Sequence, residues 1–294
     1  MRTDFLRVSN GLATLGSSQL AVLRSLDGAL LDWAMYSGAA EMAFPPLTPV
    51  ADLARVDYFI NFPQLALAAA PLQPASFPDL AAPSSIDIHS LPSELLGDTA
   101  YVLPSAACYP VYSHLAEKVL PEAEQITTAQ RCFRNESNYD GLERLWAFTM
   151  REIVCVGTDD DVRRFLARHK EWILRFAAGA DVPLSVQVAT DPFFDGSGAR
   201  ATMQRLFPVK EEFVYESSVA VSSVNFHRNF FAERWDIRTM DAHHAFSGCI
   251  AFGLERWYHV LASRYRQDAT AMLEAICNGA ERARGGEFTG QLAI

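Results

Sequence analysis

Between Arg131 and Gly157 two apolar runs close on a polar loop, and the charges they carry fall on one face. Arg131–Glu136 leads into Ser137–Gly141, and Leu145–Gly157 leads out, the pattern of a long β-hairpin. Arg134 and Glu136 alternate onto one side of the incoming strand. Arg144, Phe148 and Glu152, spaced four apart, share a side of the outgoing one. Two arginines, an aromatic ring and two carboxylates are costly to bury together. By spacing alone they fit a solvated hairpin with surface ion pairs, each worth little, better than they fit a site.

The rest of the chain supplies helices and further short strands. Apolar positions from Leu12 to Trp33 recur at helical spacing and predict a long helix over 11–36. Asp57–Phe62 reads as a strand stopped by Pro63, and Tyr101–Leu103 as another. Residues 64–98, with five prolines, read as irregular or short-helical packing. Thr158 followed by three aspartates predicts a capped helix over 159–178. Strands are predicted at 183–189, 210–214, 218–225 and 246–252, and one or two closing helices at 254–282. Hairpins outnumber strand–helix alternation, so the expected class is α+β, an antiparallel sheet flanked by helices, in a single domain over 1–294.

Half of the 294 residues are apolar and 20% are charged, the composition of a soluble globular chain. A net charge of −10 argues against nucleic-acid binding as the main task. Arg24, Asp27 and Asp32 interrupt the apolar stretch 11–36, so no membrane span is expected, and the start lacks the pattern of a secretory signal. Five sparse cysteines, at 108, 132, 155, 249 and 277, suit a reducing compartment such as the cytoplasm. They are free to be metal ligands or core residues. There is no P-loop, no GxSxG elbow and no HExxH, and GSGAR at 196–200 has the wrong length for a dinucleotide loop.

Arg134-x-Glu136, a loop, then Arg144-xxx-Phe148 resembles the second signature motif of class II aminoacyl-tRNA synthetases. CIAFGLERW at 249–257 resembles their third motif, an apolar strand ending in Gly-x-Glu-Arg. The first motif is placed on the helix 11–36 and the strand ending at Pro63. FTMREIVCVGT (148–158), ATDPFF (189–194) and the cysteines flanking both motifs are similar to the zinc-dependent seryl-tRNA synthetase type. They are equally similar to its shortened relatives, the amino acid:[carrier protein] ligases. NFPQL (61–65), LPSAACYPVY (103–112) and VNFHRNFF (224–231) resemble the ligases specifically. The likeness spans most of residues 55–265.

The resemblance implies residue roles. Arg134 would hold the α-phosphate of ATP and the amino-acid carboxylate, with Glu136 at the adenine edge and near the amino acid. Phe148 and Arg256 would sandwich the adenine, Arg256 also nearing the γ-phosphate, and Arg144 would take the β- and γ-phosphates. Asn225 and His227, on one strand face, either reach ATP or the acceptor or are a strand-edge polar pair. Cys108, Glu152 and Cys249 would hold one zinc ion per subunit, leaving a position for the substrate amine. Magnesium would accompany ATP, but the family's metal-binding glutamate is replaced by Ala220. Asp191 either anchors the amino group, orients a zinc ligand or caps a turn before Pro192. Lys210 either offsets site carboxylates or is a surface lysine. Cys132, Cys155 and Cys277 read as core residues. The basic residues of the helix 159–178 read as a solvated face, with an acidic carrier as the alternative contact.

The expected activity is ATP-dependent activation of a small amino acid, glycine or alanine, and transfer to the phosphopantetheine thiol of a small acidic carrier protein. A homodimer is expected, with residues 1–100 supplying N-terminal helices and a dimerisation strand packed on the core. No tRNA partner is expected, because no basic coiled-coil arm precedes Cys108. Three alternatives remain: a true seryl-tRNA synthetase, a non-catalytic regulator that kept the fold, and a ligase with another biosynthetic acceptor.

Overall fold

The computed structural model describes residues 5–77, 90–216 and 218–285. The predicted hairpin forms the middle of its main sheet. In chain order the strands are β1 (Ala40–Glu41), β2 (Glu124–Phe133), β3 (Ala147–Gly157), β4 (Leu184–Val188), β5 (Lys210–Tyr215), β6 (Val219–Arg228) and β7 (Phe246–Gly253). Their spatial order is β4-β5-β6-β7-β3-β2-β1. Every pairing is antiparallel except that of the short edge strand β1 with β2.

Residue alternation divides this sheet into two faces. Ile153, Cys155, Val224, Ile250 and Phe252 belong to one core, which also contains the inward sides of four helices. These are α1 (Ser17–Tyr36), α2 (Asp159–Gly179), α3 (Leu254–Arg264) and α4 (Ala269–Ala283). Val154, Val156 and Cys249 belong to the other core, shared with the short helices Tyr109–His114 and Phe230–Trp235. The second face carries the site. Cys132 and Cys155 are buried as expected, and Cys277 is half-buried.

Helix α2 starts where the sequence says it should. Thr158 accepts from the Asp161 N–H at 3.2 Å while the Asp161 carboxylate accepts from the Thr158 N–H at 3.2 Å, a reciprocal cap. Three of its basic residues pair within the helix, Arg163 with Asp159, Arg164 with Asp161 and Arg175 with Glu171, and Lys170 pairs with Glu211 of β5. These basic side chains remain 37–71% exposed. No described helix is long and apolar enough to cross a membrane.

Two expectations are corrected. The helix begins at Ser17, not at residue 11, because Leu6–Ser9 and Leu12–Leu15 pair as a hairpin. Its turn, Asn10–Gly11, has φ of 50° and 71°, the left-handed values a two-residue hairpin turn requires. The strand expected at Asp57–Phe62 is instead a single helical turn, Tyr58–Asn61. Asp57, with φ of 56°, turns the chain into it, and Tyr58 and Asn61, three apart, are the residues it buries. Of the irregular stretch 64–98, residues 78–89 lie outside the described residues. Elsewhere in it the chain makes short helical turns at Pro63–Leu65, Pro74–Ser76 and Ser93–Leu95.

Candidate active site

The hairpin register determines where the site side chains stand. Cys249 in β7 pairs with Val154 in β3, and Ala251 pairs with Glu152. Cys249 and Glu152 are thus diagonal neighbours on one sheet face. Cys108 comes from the other direction, immediately before the helix Tyr109–His114. The two sulfurs and a Glu152 oxygen all lie within 4.8 Å of one another, and all three residues are buried. The Ala107 N–H donates to Glu152 Oε1 at 2.8 Å and orients the carboxylate.

Three groups that ionise to anions are packed together here with little water. The hydrogen bond to Cys249, then burial, then Glu152 hold the Cys108 thiol well above its usual range. The Cys108 contact lowers Cys249, but burial and Glu152 outweigh it and leave this thiol raised too. Burial also raises Glu152 against the pull of the Ala107 N–H. A divalent cation would let all three ionise together. Two thiolates and one carboxylate suit zinc, and a three-residue set is that of a catalytic ion with one position open. The donor set therefore fits the metal that the sequence implies.

The cluster lies in the wall of a cavity of about 530 Å³. Tyr58, Phe62, Phe193, Met203, Phe207, Phe230 and Phe231 make this cavity largely apolar, and Asp191, Lys210, Asn225 and His227 are among the polar groups in it. A second, smaller recess is lined by Glu136, Glu143, Arg144, Phe148, Glu212, Ala220, Glu255 and Arg256. Arg134 and Lys210 line both, so the two spaces meet at a pair of cations.

Each cation is held. Arg134 Nε donates to the Ser105 carbonyl at 3.1 Å, and its guanidinium lies 5.1 Å from the Phe148 ring centre. Lys210 Nζ reaches Asp191 at 3.0 Å and Glu212 at 3.2 Å. Burial alone would raise Asp191, but Lys210 and the Gln204 amide bring its carboxyl below the usual range. Burial alone would lower Lys210, but Asp191 and Glu212 keep it raised and charged. Arg256 is fastened by Nε to the Glu143 carbonyl at 2.7 Å and by Nη1 to the Ala220 carbonyl at 3.0 Å. The conspicuous Glu255 before it ties α3 to β3, accepting from the Thr149 N–H at 2.7 Å and from Arg131 at 2.8 Å.

The sequence-predicted residues separate into two groups. Arg134, Glu136, Arg144, Phe148 and Arg256 gather around the smaller recess. Cys108, Glu152, Cys249, Asp191 and Lys210 gather around the larger cavity, together with Arg134. Glu136 stands only in the recess, where Arg144 pairs with it at 3.4 Å. Asn225, expected to reach ATP or the acceptor, lines the larger cavity and donates to Cys249 Sγ at 3.4 Å. Arg134 and Arg144 stand in the connection just beyond the ends of β2 and β3, not in the strands themselves.

Gln204 was not foreseen. It clasps Asp191 from both sides, its Oε1 accepting from the Asp191 N–H at 2.8 Å and its Nε2 donating to the carboxylate at 3.0 Å. Its helix, Ala199–Leu206, lies between Gly198 and Pro208, and those two breakers were the available signal.

The sequence matches no protein-family model. It is 36% identical over 234 residues to amino acid–[acyl-carrier-protein] ligase 1 of Bradyrhizobium diazoefficiens, spanning 75% of this chain and 70% of that protein. It is 34% identical over 226 residues to ligase 2 of the same organism, spanning 73% of this chain and 66% of that one. Among solved structures, M. kandleri SerRS in complex with A. aeolicus tRNASec superposes with a TM-score of 0.80 at 22% identity, covering 97% of this chain and 62% of that one. The last likeness shows the fold, that of class II aminoacyl-tRNA synthetases. The sequence identity, over more than two thirds of both this chain and ligase 1, shows that the chain belongs to the amino acid–[acyl-carrier-protein] ligase family.

Proposed function

We propose that this chain activates a small amino acid, glycine or alanine, with ATP and passes it to the phosphopantetheine thiol of a carrier protein. The observation that carries this reading is the meeting of two differently equipped spaces at Arg134 and Lys210. Adenylate formation joins a carboxylate oxygen to the α-phosphorus of ATP as the α–β anhydride bond breaks and pyrophosphate leaves, so two anions must approach within bonding distance. Arg134 stands where its fork can hold both, and Lys210 adds a second positive charge.

ATP would occupy the recess. Phe148 offers its ring to the adenine, Glu136 its carboxylate to the base edge, and Arg144 and Arg256 their charge to the outer phosphates. Magnesium favours phosphate oxygens, water and one or two carboxylates. With Ala220 lacking a carboxylate, Glu212 and Glu255 are acids of the recess lining that could serve the ion in its place. Ala220 is also the one feature favouring a non-catalytic regulator.

The amino acid would lie in the larger cavity. Cys108, Glu152 and Cys249 would hold zinc, which supplies a Lewis-acid position for the α-amino group. Asp191, held ionised by Lys210 and Gln204, offers a second anchor for that group. The cavity must also admit the end of a pantetheine arm, which supports a small side chain on the amino acid. Arg200 and Arg228 line the same cavity, on a chain whose net charge is negative, which supports an acidic carrier. Exposed apolar side chains on the N-terminal hairpin and α1, among them Leu6, Leu12, Leu20 and Met35, support a homodimer.

The test is transfer itself. The protein, ATP and glycine or alanine are mixed with a phosphopantetheine-bearing carrier, and the carrier's mass is followed. A mass gain of one aminoacyl group, reversed by hydroxylamine, is expected. Charging of tRNA in its place would contradict the proposal.

A further inference from the structure

Strand β6 passes Cys249 on the side away from Glu152. Asn225 is the direct cross-strand partner of Cys249. Its Nδ2 donates to Ser223 Oγ at 3.0 Å and to Cys249 Sγ at 3.4 Å, so both amide hydrogens are assigned. The register then slips between Phe226 and Arg228, which makes His227 the extra residue of a β-bulge. Bulges re-aim side chains, and this one brings His227 Nε2 to 3.7 Å from the same sulfur. The opposite ring nitrogen, Nδ1, faces two hydroxyls, Tyr112 at 2.9 Å and Ser247 at 3.5 Å. A hydroxyl donating to Nδ1 leaves the ring's proton on Nε2, directed at the sulfur.

We propose that Asn225 and His227 are positioning residues that give Cys249 two N–H···S hydrogen bonds and so set the strength of its bond to the metal. The proposal rests on the reading of Cys108, Glu152 and Cys249 as metal ligands. A thiolate on a metal keeps lone pairs, and in a buried wall those need donors. N–H groups draw electron density from the sulfur, favour the thiolate over the thiol and hold it in place.

Cobalt(II) added alone to the zinc-stripped full chain is the probe, because its sulfur-to-metal charge-transfer band reports the electron density on the thiolates. Asn225→Leu and His227→Leu should each move that band to lower energy and weaken cobalt binding about tenfold. His227→Gln, whose side-chain amide N–H replaces the ring N–H, should restore the wild-type band, which a purely space-filling role would not require. Should a leucine variant fail to fold, Asn225→Asp removes the donor at nearly constant shape and should show the same displacement. A band unmoved in every donor-lacking variant would overturn the hydrogen bonds and leave the metal site standing. A wild-type protein with no such band would overturn both.

Discussion

Cys249 and Glu152, 97 positions apart in the chain, stand diagonally across one antiparallel pair because Ala251 lies opposite Glu152. The same rung continues across the sheet: Glu212 pairs with Ser223, Ser223 with Ala251, and Glu152 with Thr128. Two residues on, the next rung with the same facing runs from Lys210 through Asn225 to Cys249. A slip of one residue in any of these strands would turn its contribution to the opposite face. The site is therefore a property of sheet register, and sites built on strands hold their geometry closely.

Cys108→Ser removes one of the three buried donors. Elemental analysis should find about one zinc per subunit in the wild type and little in the variant, since catalytic zinc needs three protein ligands. Full occupancy in the variant would place the ligand set elsewhere.

Arg134→Ala and Arg256→Ala each remove a cation that lines the recess. Adenylate formation should fall by at least about a hundredfold, the scale for losing one preorganised charge-stabilising donor. Circular dichroism should be unchanged, because neither side chain has an ion pair and their hydrogen bonds to oxygen go to backbone carbonyls of loops and a strand. Retained adenylation in either variant would contradict the assigned role.

Arg151 is 2% exposed and pairs bidentately with Asp27, at 2.6 and 3.0 Å, joining β3 to α1 beneath the site. Asp27→Ala leaves that buried charge with Glu41 alone at 3.2 Å. Urea unfolding should show a loss of about 3 kcal/mol, the low end for breaking a buried pair. A loss below about 1 kcal/mol, the value of an exposed pair, would mean the partners are solvated.

His169 is fully buried among Trp33, Phe165 and Trp172, and burial pushes its pKa from 6.5 to about 4. The unfolded ring takes its proton near pH 6.5 and the folded ring only near 4, so between these the unfolded chain binds more protons. The stability this group contributes is full above pH 6.5 and is lost as pH falls toward 4, by about 3 kcal/mol in all. His169→Phe, which keeps an aromatic ring there, should lose correspondingly less stability between pH 7.5 and 4.5. Equal acid sensitivity of variant and wild type would show that the ring is not buried neutral.

The hairpin was legible because alternation survives in sequence, and α2 because its cap is local. The metal cluster was legible only through family likeness, since register brings 152 and 249 together and Cys108 reaches them from the start of a helix. Tyr58–Asn61 misled because its aromatic residues favour strands, whereas tertiary burial of Tyr58 curls the chain. The Asn10–Gly11 turn was a readable signal outweighed by the helical spacing that follows it. For Asn225 the face was legible and the space it lines was not. Strand alternation predicts a face, but which of two spaces on that face a side chain enters depends on its cross-strand partner.

Amino-acid-dependent exchange of pyrophosphate into ATP, run across the twenty amino acids with and without a zinc chelator, tests the central claim most directly. Exchange with glycine or alanine that disappears on chelation and returns with zinc is the predicted result. Absence of exchange with every amino acid, from folded and zinc-loaded protein, would contradict it.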